Sequence, residues 1–378
     1  LRVVGVVYRR MGDMRAVLGV ALVGLVVCVG CGRDPAPAPS PTSVIKALGG
    51  RIFTWDTDTR MPTRVSFKYD INRYWVDPQP PVTDADLLHL KRLANSLVHL
   101  DLHGTKVTDA GLTHLKGLTK LEELSLINTN VTGAGLVHLK RLTKLELLHL
   151  EDTKVTDAGL KHLKGLTKLI ILTLKKTKVT DAGLVHLTGL TKLTYLNLQS
   201  TKVTDTGLVH LKGLTNLYKL DLAFTRVNDA GLTHLKELAN LAGLVLKGTN
   251  VTDAGLEHLK VLTKLNWLFL NDTKVTDAGL VHLKGLTNLK SLHLDYTKVT
   301  DAGLVHLKGL TNLRKLGPFT AITDAGLEHL KGLTNLDWLD LTDTKVTDAG
   351  LVHLKRMTEL QYLKLGSTGV TDAGLVHL

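Results

Sequence analysis

The chain has 378 residues, 44% of them apolar but only 4% aromatic, with 47 Lys and Arg against 35 Asp and Glu, a formal charge of +12. That apolar content excludes wholesale disorder, and two cysteines exclude both a disulfide-stapled scaffold and a multi-cysteine zinc site. A core so poor in rings must be aliphatic, here mostly leucine. A charge of +12 raises nucleic acid as a partner, and its distribution decides that question.

Residues 14–33 read MRAVLGVALVGLVVCVGCGR. Arg15 precedes an apolar run over residues 16–30. This is shorter than the ~20 residues of a membrane span and suits the apolar region of a signal peptide. Position 1 is Leu, and the true start is expected at Met11 or Met14. The run ends at Val29-Gly30-Cys31, which resembles a bacterial lipoprotein lipobox, with Cys28 where that motif prefers leucine. The resemblance implies lipidation of Cys31 and a signal peptide over residues 1–31. The alternative is an ordinary secretory signal that contains cysteines. Alternating prolines from Pro35 to Pro41 favour polyproline II, so residues 32–42 are expected to be a semi-rigid tether.

Residues 43–48 predict a short helix stopped by Gly49-Gly50, and the alternation over residues 64–69 predicts an initial strand. Together with a Pro-rich joint at residues 77–81, they are expected to form an N-terminal cap, residues 43–81, over the apolar edge of the array that begins at residue 82.

From residue 82 the chain repeats itself. Thirteen anchors of Val-Thr-Asp type run from Val82 to Val370, spaced by 24 residues except for one step of 25 after Val82 and one of 23 between Val299 and Ile322. Residues 145–168 are typical: LELLHLEDTKVTDAGLKHLKGLTK. Leu148 and Leu150 alternate as in a strand with one buried face. Thr156 is placed to cap a helix and Asp157 to favour its first turn, where the helix dipole is positive. Asn228 can cap in its own unit. Leu160 and Leu163 share one helical face, and Gly165 is expected to end the helix with positive φ. Each unit therefore reads strand, turn, short helix, turn.

These residues resemble the leucine-rich repeat family, L-x-x-L-x-L-x-x-N-x-L, with Thr in the asparagine position of every unit from Thr105 to Thr368. The T-D-A-G-L helix start resembles the subclass found in planctomycete-type bacterial repeat proteins and F-box-associated repeats. The resemblance implies an α/β fold over residues 82–378, a right-handed horseshoe solenoid with parallel strands on the concave face and short helices on the convex face. A buried Thr hydroxyl is expected to bond to turn backbone, as the family's asparagine does. The array has no evident C-terminal cap, which points to truncation, a bare end or an end covered by dimerisation.

Thirteen of seventeen histidines occupy one L-x-H-L slot, from His89 to His377. Neighbouring helices about 10 Å apart cannot share a zinc ion bonded at about 2 Å, so no metal is expected. The lysines recur unit by unit and read as a solvated ladder, without a basic cluster interleaved with aromatics, so nucleic acid is not expected. No P-loop, G-x-S-x-G, H-E-x-x-H or G-x-G-x-x-G occurs. A catalytic site should break a repeat rather than obey it, and the chain reads as non-enzymatic, with no cofactor.

The variable residues flank the two strand leucines and should face the concave side. Tyr195, Trp267, Phe269, Tyr296, Trp338 and Tyr362 lie on this surface or its rim and are the expected partner-binding anchors. At about 4.8 Å per strand the strip is roughly 35 Å long, which suits a protein segment or a glycan chain. Gly317-Pro318 replaces the second strand leucine of its unit and predicts a broken strand, either a binding notch or a damaged repeat. The resemblance implies a protein-binding module. The leader implies export to the cell envelope, lipid-anchored to a membrane or else secreted. A carbohydrate or cell-wall binding module and a structural envelope spacer are the alternatives.

Overall fold

The computed structural model describes residues 51–53, 64–66, 82–319 and 321–378. The leader with Cys31, the Pro-rich tether, the helix expected at residues 43–48 and the joint at 77–81 lie outside the described residues. Among those described, no helix is long and apolar enough to cross a membrane.

Among the described residues, fourteen strands form one open sheet in chain order. β1 (Arg51–Phe53) pairs antiparallel with β2 (Arg64–Ser66), the strand expected at residues 64–69. From β2 onward all pairing is parallel, through β3 (His99–Asp101), β4 (Glu123–Ser125), β5 (Leu147–His149), β6 (Ile171–Thr173) and β7 (Tyr195–Asn197). It continues through β8 (Lys219–Asp221), β9 (Gly243–Val245), β10 (Trp267–Phe269), β11 (Ser291–His293), β12 (Lys315–Leu316), β13 (Trp338–Asp340) and β14 (Tyr362–Lys364). The central leucines stay in register, Leu148 with Leu172 and Leu172 with Leu196.

The repeat fills the core by itself. In one unit Val155, Leu160, Leu163, Leu166, Leu169, Leu172 and Leu174 are all fully buried. Each such leucine contributes about 1.5–3 kcal/mol relative to exposure. Because every unit presents the same file, the core runs unbroken from Val65 to Met357. The recurring threonine closes the strand-to-helix turn: Thr153 Oγ1 donates to the Leu150 carbonyl at 2.6 Å, and Thr177 repeats this with Leu174 at 2.6 Å.

The Thr-Asp-Ala-Gly segment joins neighbouring units. Asp229 accepts from the Thr252 backbone N–H at 2.7 Å and from its hydroxyl at 2.6 Å. The same pair recurs from Asp84 with Thr108 to Asp348 with Thr371. The capping threonine also accepts from its own helix, as Thr252 does from the Ala254 N–H at 3.3 Å. The glycine of the motif is required by this ladder: a Cβ on Gly255 would lie 2.4 Å from Asp229 Oδ1. One rung is missing. Gly133 stands in the Asp position, no carboxylate reaches Thr156, and the two backbones close up, so that a Cβ on Gly133 would lie 3.0 Å from Gly159 Cα.

Gly165 does not have the expected positive φ. The described glycines with positive φ are Gly104, Gly248 and Gly317. The convex segment instead leaves through αR residues and a bond from Leu166 N–H to the Leu163 carbonyl at 2.9 Å, which needs no left-handed residue. Left-handed backbone falls on the other turn, immediately before the buried threonine, at Asp152, Lys176, Ser200, Phe224 and Tyr296 among others.

Most convex segments are a single α-turn that tightens into 3₁₀, as in Asp181–Leu184 followed by Val185–Leu187. Asp253–Leu259 and Asp324–Leu330 are α-helical throughout. Both carry Glu, a better helix former, where most other units have Val or Thr, and both add an i,i+3 ion pair, Glu257–Lys260 and Glu328–Lys331.

The strand break expected at Gly317-Pro318 is present, since β12 has two residues and loses its third rung to both neighbours. The core stays filled because Phe319 turns inward in place of the missing leucine and is 1% exposed.

Candidate functional site

Alternation along β10 sends Leu268 into the core and Trp267 and Phe269 to the concave side. Trp267 is 37% exposed and leans over β9, whose Gly243 leaves room: a Cβ there would lie 3.3 Å from the indole. Across the same small residue stands Tyr218, its ring 5.8 Å from that of Trp267, edge to face. Phe269 packs edge to face on His293 of β11 at 4.4 Å, and His293 lies 5.9 Å from the Trp338 ring of β13. The strand between them contributes Gly317 in the matching position. The side chain that the repeat would place there is absent, and a cavity of about 510 Å³ opens, lined by Trp267, Phe269, His293 and Trp338.

The rim of this cavity is basic. Lys290, Arg314 and Lys315 line it with Asp337. Arg314 is paired with Asp337 at 3.3 Å, whereas Lys290 and Lys315 make no ion pair among the described residues. Lys364 pairs with Asp340 at 3.2 Å and lies 5.2 Å from the Trp338 ring centre. Burial lowers the His293 pKa and Lys315 adds to the effect, so the ring is held neutral and able to pack on apolar groups. Basic and aromatic side chains are thus interleaved here, contrary to the expectation of an evenly solvated lysine ladder. That expectation tracked the repeated lysines and overlooked those at variable strand positions.

The six aromatic anchors do not form one strip. Trp267, Phe269 and Trp338 share the cavity. Tyr362 is beside Trp338 in the strand register and 64% exposed. Tyr195 lies three strands away from β10, where its hydroxyl accepts from Asn197 at 3.1 Å and Lys219 covers its ring at 4.8 Å. Tyr296 departs from the concave face: it is the left-handed residue of the turn after β11, with φ 52°, and its ring projects into solvent. Two contributors escaped sequence reasoning. Tyr218 precedes its strand by one residue, and His293, at a variable strand position, is not a Phe, Tyr or Trp. A signal for both was present, since each replaces a different residue in nearly every other unit.

A second hollow of about 620 Å³ lies beside Tyr218, lined by Asn216, Asn240, Asn266, Asn288 and Lys264. Several of these amides already serve the fold: Asn216 donates to the Thr191 carbonyl at 2.8 Å and Asn240 to the Thr215 carbonyl at 3.0 Å. Toward the N-terminal end the concave face changes character. His99 Nδ1 is 2.9 Å from Glu123, and Asp101, His103 and His149 surround the pair. No group of three His, Cys, Asp or Glu among the described residues is arranged to hold a metal ion.

A one-sheet parallel solenoid with a leucine file and a threonine-closed turn defines the class of protein. Residues 189–211 and 285–307 match the family model described as a leucine rich repeat. No curated protein matches the sequence significantly. Among solved structures the chain is similar to the internalin InlF of Listeria monocytogenes, at 26% identity and TM-score 0.60, over 76% of this chain and 86% of that one. It is also similar to a leucine-rich repeat protein of Leptospira interrogans, at 19% identity and TM-score 0.55, over 76% of this chain and 88% of that one, a likeness of fold alone. The chain is a leucine-rich repeat protein.

Proposed function

We propose that the protein is a non-enzymatic binding module that takes a protein partner on its concave strands, outside the cytoplasm and tethered through a lipid at Cys31. The observation that carries the concave site is the cavity at the broken strand, where Trp267, Phe269 and Trp338 converge on space that the repeat would otherwise fill. Rigid aromatics around a hollow are the usual anchors of protein interfaces. Leucine-rich repeat proteins are generally protein-binding modules, which supports a protein over a small metabolite. The export reading rests on the leader sequence, and incorporation of labelled fatty acid, lost on Cys31→Ala, tests it.

The concave site is tested by capture from envelope extract with the native chain and with the triple variant Trp267→Ala, Phe269→Ala, Trp338→Ala. Saturable capture should fall at least ten-fold while the melting temperature stays within about 2 °C, because these side chains are not in the leucine core. Equal capture by both forms would remove the concave site. The amide-lined hollow beside Tyr218 and Trp267 favours a second reading, a glycan stacked on these rings, and glycan-array binding with no protein captured would establish it.

A further inference from the structure

The concave surface is divided by charge. At the positions flanking the strand leucines, β3–β5 carry Asp101, Glu122, Glu123, Glu146 and Glu151, with no Lys or Arg. The same positions across β6–β14 carry Lys175, Lys219, Lys247, Lys290, Arg314, Lys315 and Lys364 against four acids, Asp221, Asp295, Asp337 and Asp340, the last two paired with Arg314 and Lys364. The division does not come from the repeat, whose own charges sit in the turns and on the helices. The aromatic cavity lies at the far end of the basic half, with Lys290 and Lys315 exposed on its rim.

Resting on the reading of a protein partner on this face, we propose that the partner segment is an extended polypeptide of split charge. Its acidic end, with an apolar side chain, seats in the cavity between β10 and β13, and its basic end lies over β3–β5. Seven strand steps of about 4.8 Å separate β4 from β11, roughly 34 Å, which an extended chain covers in about ten residues at ~3.3 Å each. Opposite charge at both ends favours one direction of docking. The reversed segment would place like charges together at both ends, which selects against it as well as failing to attract. A nucleic acid strand fits less well, because its phosphates would face five carboxylates in the same groove.

Panning displayed random 16-residue peptides on the full chain tests this directly. Enriched peptides should carry basic residues toward one end and acidic residues toward the other. The double variants K290E/K315E and E122K/E146K should each weaken their binding at least ten-fold, and rising salt should do the same. Enriched peptides of uniform or no charge that lose binding to W267A/W338A would overturn the split-charge partner and leave the concave site standing. Peptides that bind W267A/W338A as well as the native chain would overturn both. No enrichment, or tight binding of labelled single-stranded dT20 that is abolished by K290E/K315E, would also overturn the proposal.

Discussion

Two glycine positions of the repeat, seen at Gly231 and Gly165, carry opposite expectations. A Cβ on Gly231 would lie 2.5 Å from Asp205 Oδ1 and 3.1 Å from Leu208 Cδ1. Gly231→Ala should push out the carboxylate that accepts from Asn228 N–H, and overpacking of this kind costs about 1–3 kcal/mol. A Cβ on Gly165 meets nothing within 4 Å, and its φ is not positive. Gly165→Ala should therefore be neutral or stabilise by up to ~1 kcal/mol, because alanine has fewer unfolded conformations to lose. Urea titration of both variants reads the two signs. Asp181 shows the electrostatic side of the same ladder. Burial opposes its ionisation, but the Thr204 hydroxyl and N–H, the Thr206 hydroxyl and the Gly207 N–H outweigh it and hold the pKa below the usual carboxylate value. A carboxylate depressed in the folded state stabilises above its unfolded pKa of about 3.9, and that stability is lost as pH falls through the folded value. Thr206 supplies a bond that the usual alanine cannot, 2.7 Å to Asp181. The stability gap between the native chain and Thr206→Ala should be full at pH 7 and shrink as the pH falls below about 4, measured by denaturant midpoints across pH.

At the scale of the element, the unit of cohesion is the contact between successive convex segments. Asp229→Ala leaves the Thr252 N–H and hydroxyl without their charged acceptor and should cost about 1.5–3 kcal/mol. Gly133→Asp supplies the missing rung and should slow hydrogen exchange at the Thr156 amide, which mass spectrometry of the peptide spanning it can measure. The strand, turn and helix of each unit were legible from leucine periodicity and the capping threonine. The second partner of the aspartate was not. A carboxylate beside a helix start reads as a local dipole effect, and only the stacking of units brings the threonine 23 residues on within 2.7 Å. Gly165 misled for a related reason: a glycine after a helix predicts left-handed backbone, but a 3₁₀ exit makes it unnecessary. In the candidate site Trp267, Phe269 and Trp338 stood out because they depart from the repeat. Tyr218 needed the bare backbone of Gly243 to come within reach of Trp267, and Tyr296 was drawn off the face by a turn whose handedness the sequence does not announce.

Across the whole molecule, each unit touches its neighbours alone, so a change in one joint stays local in energy yet propagates in shape. On the concave side the spacing is fixed by backbone pairing at about 4.8 Å. On the convex side it is set by what lies between helices, and there the aspartate acts as a shim, its oxygen occupying the space above the next unit's glycine. The difference between those two spacings is the bend of the horseshoe. At Gly133 the shim is gone and the backbones approach, so the arc should flatten at that one joint. Curvature is thus written into the chain one side chain at a time. Replacing successive aspartates with glycine should open the arc step by step, read as a rising radius of gyration in small-angle scattering.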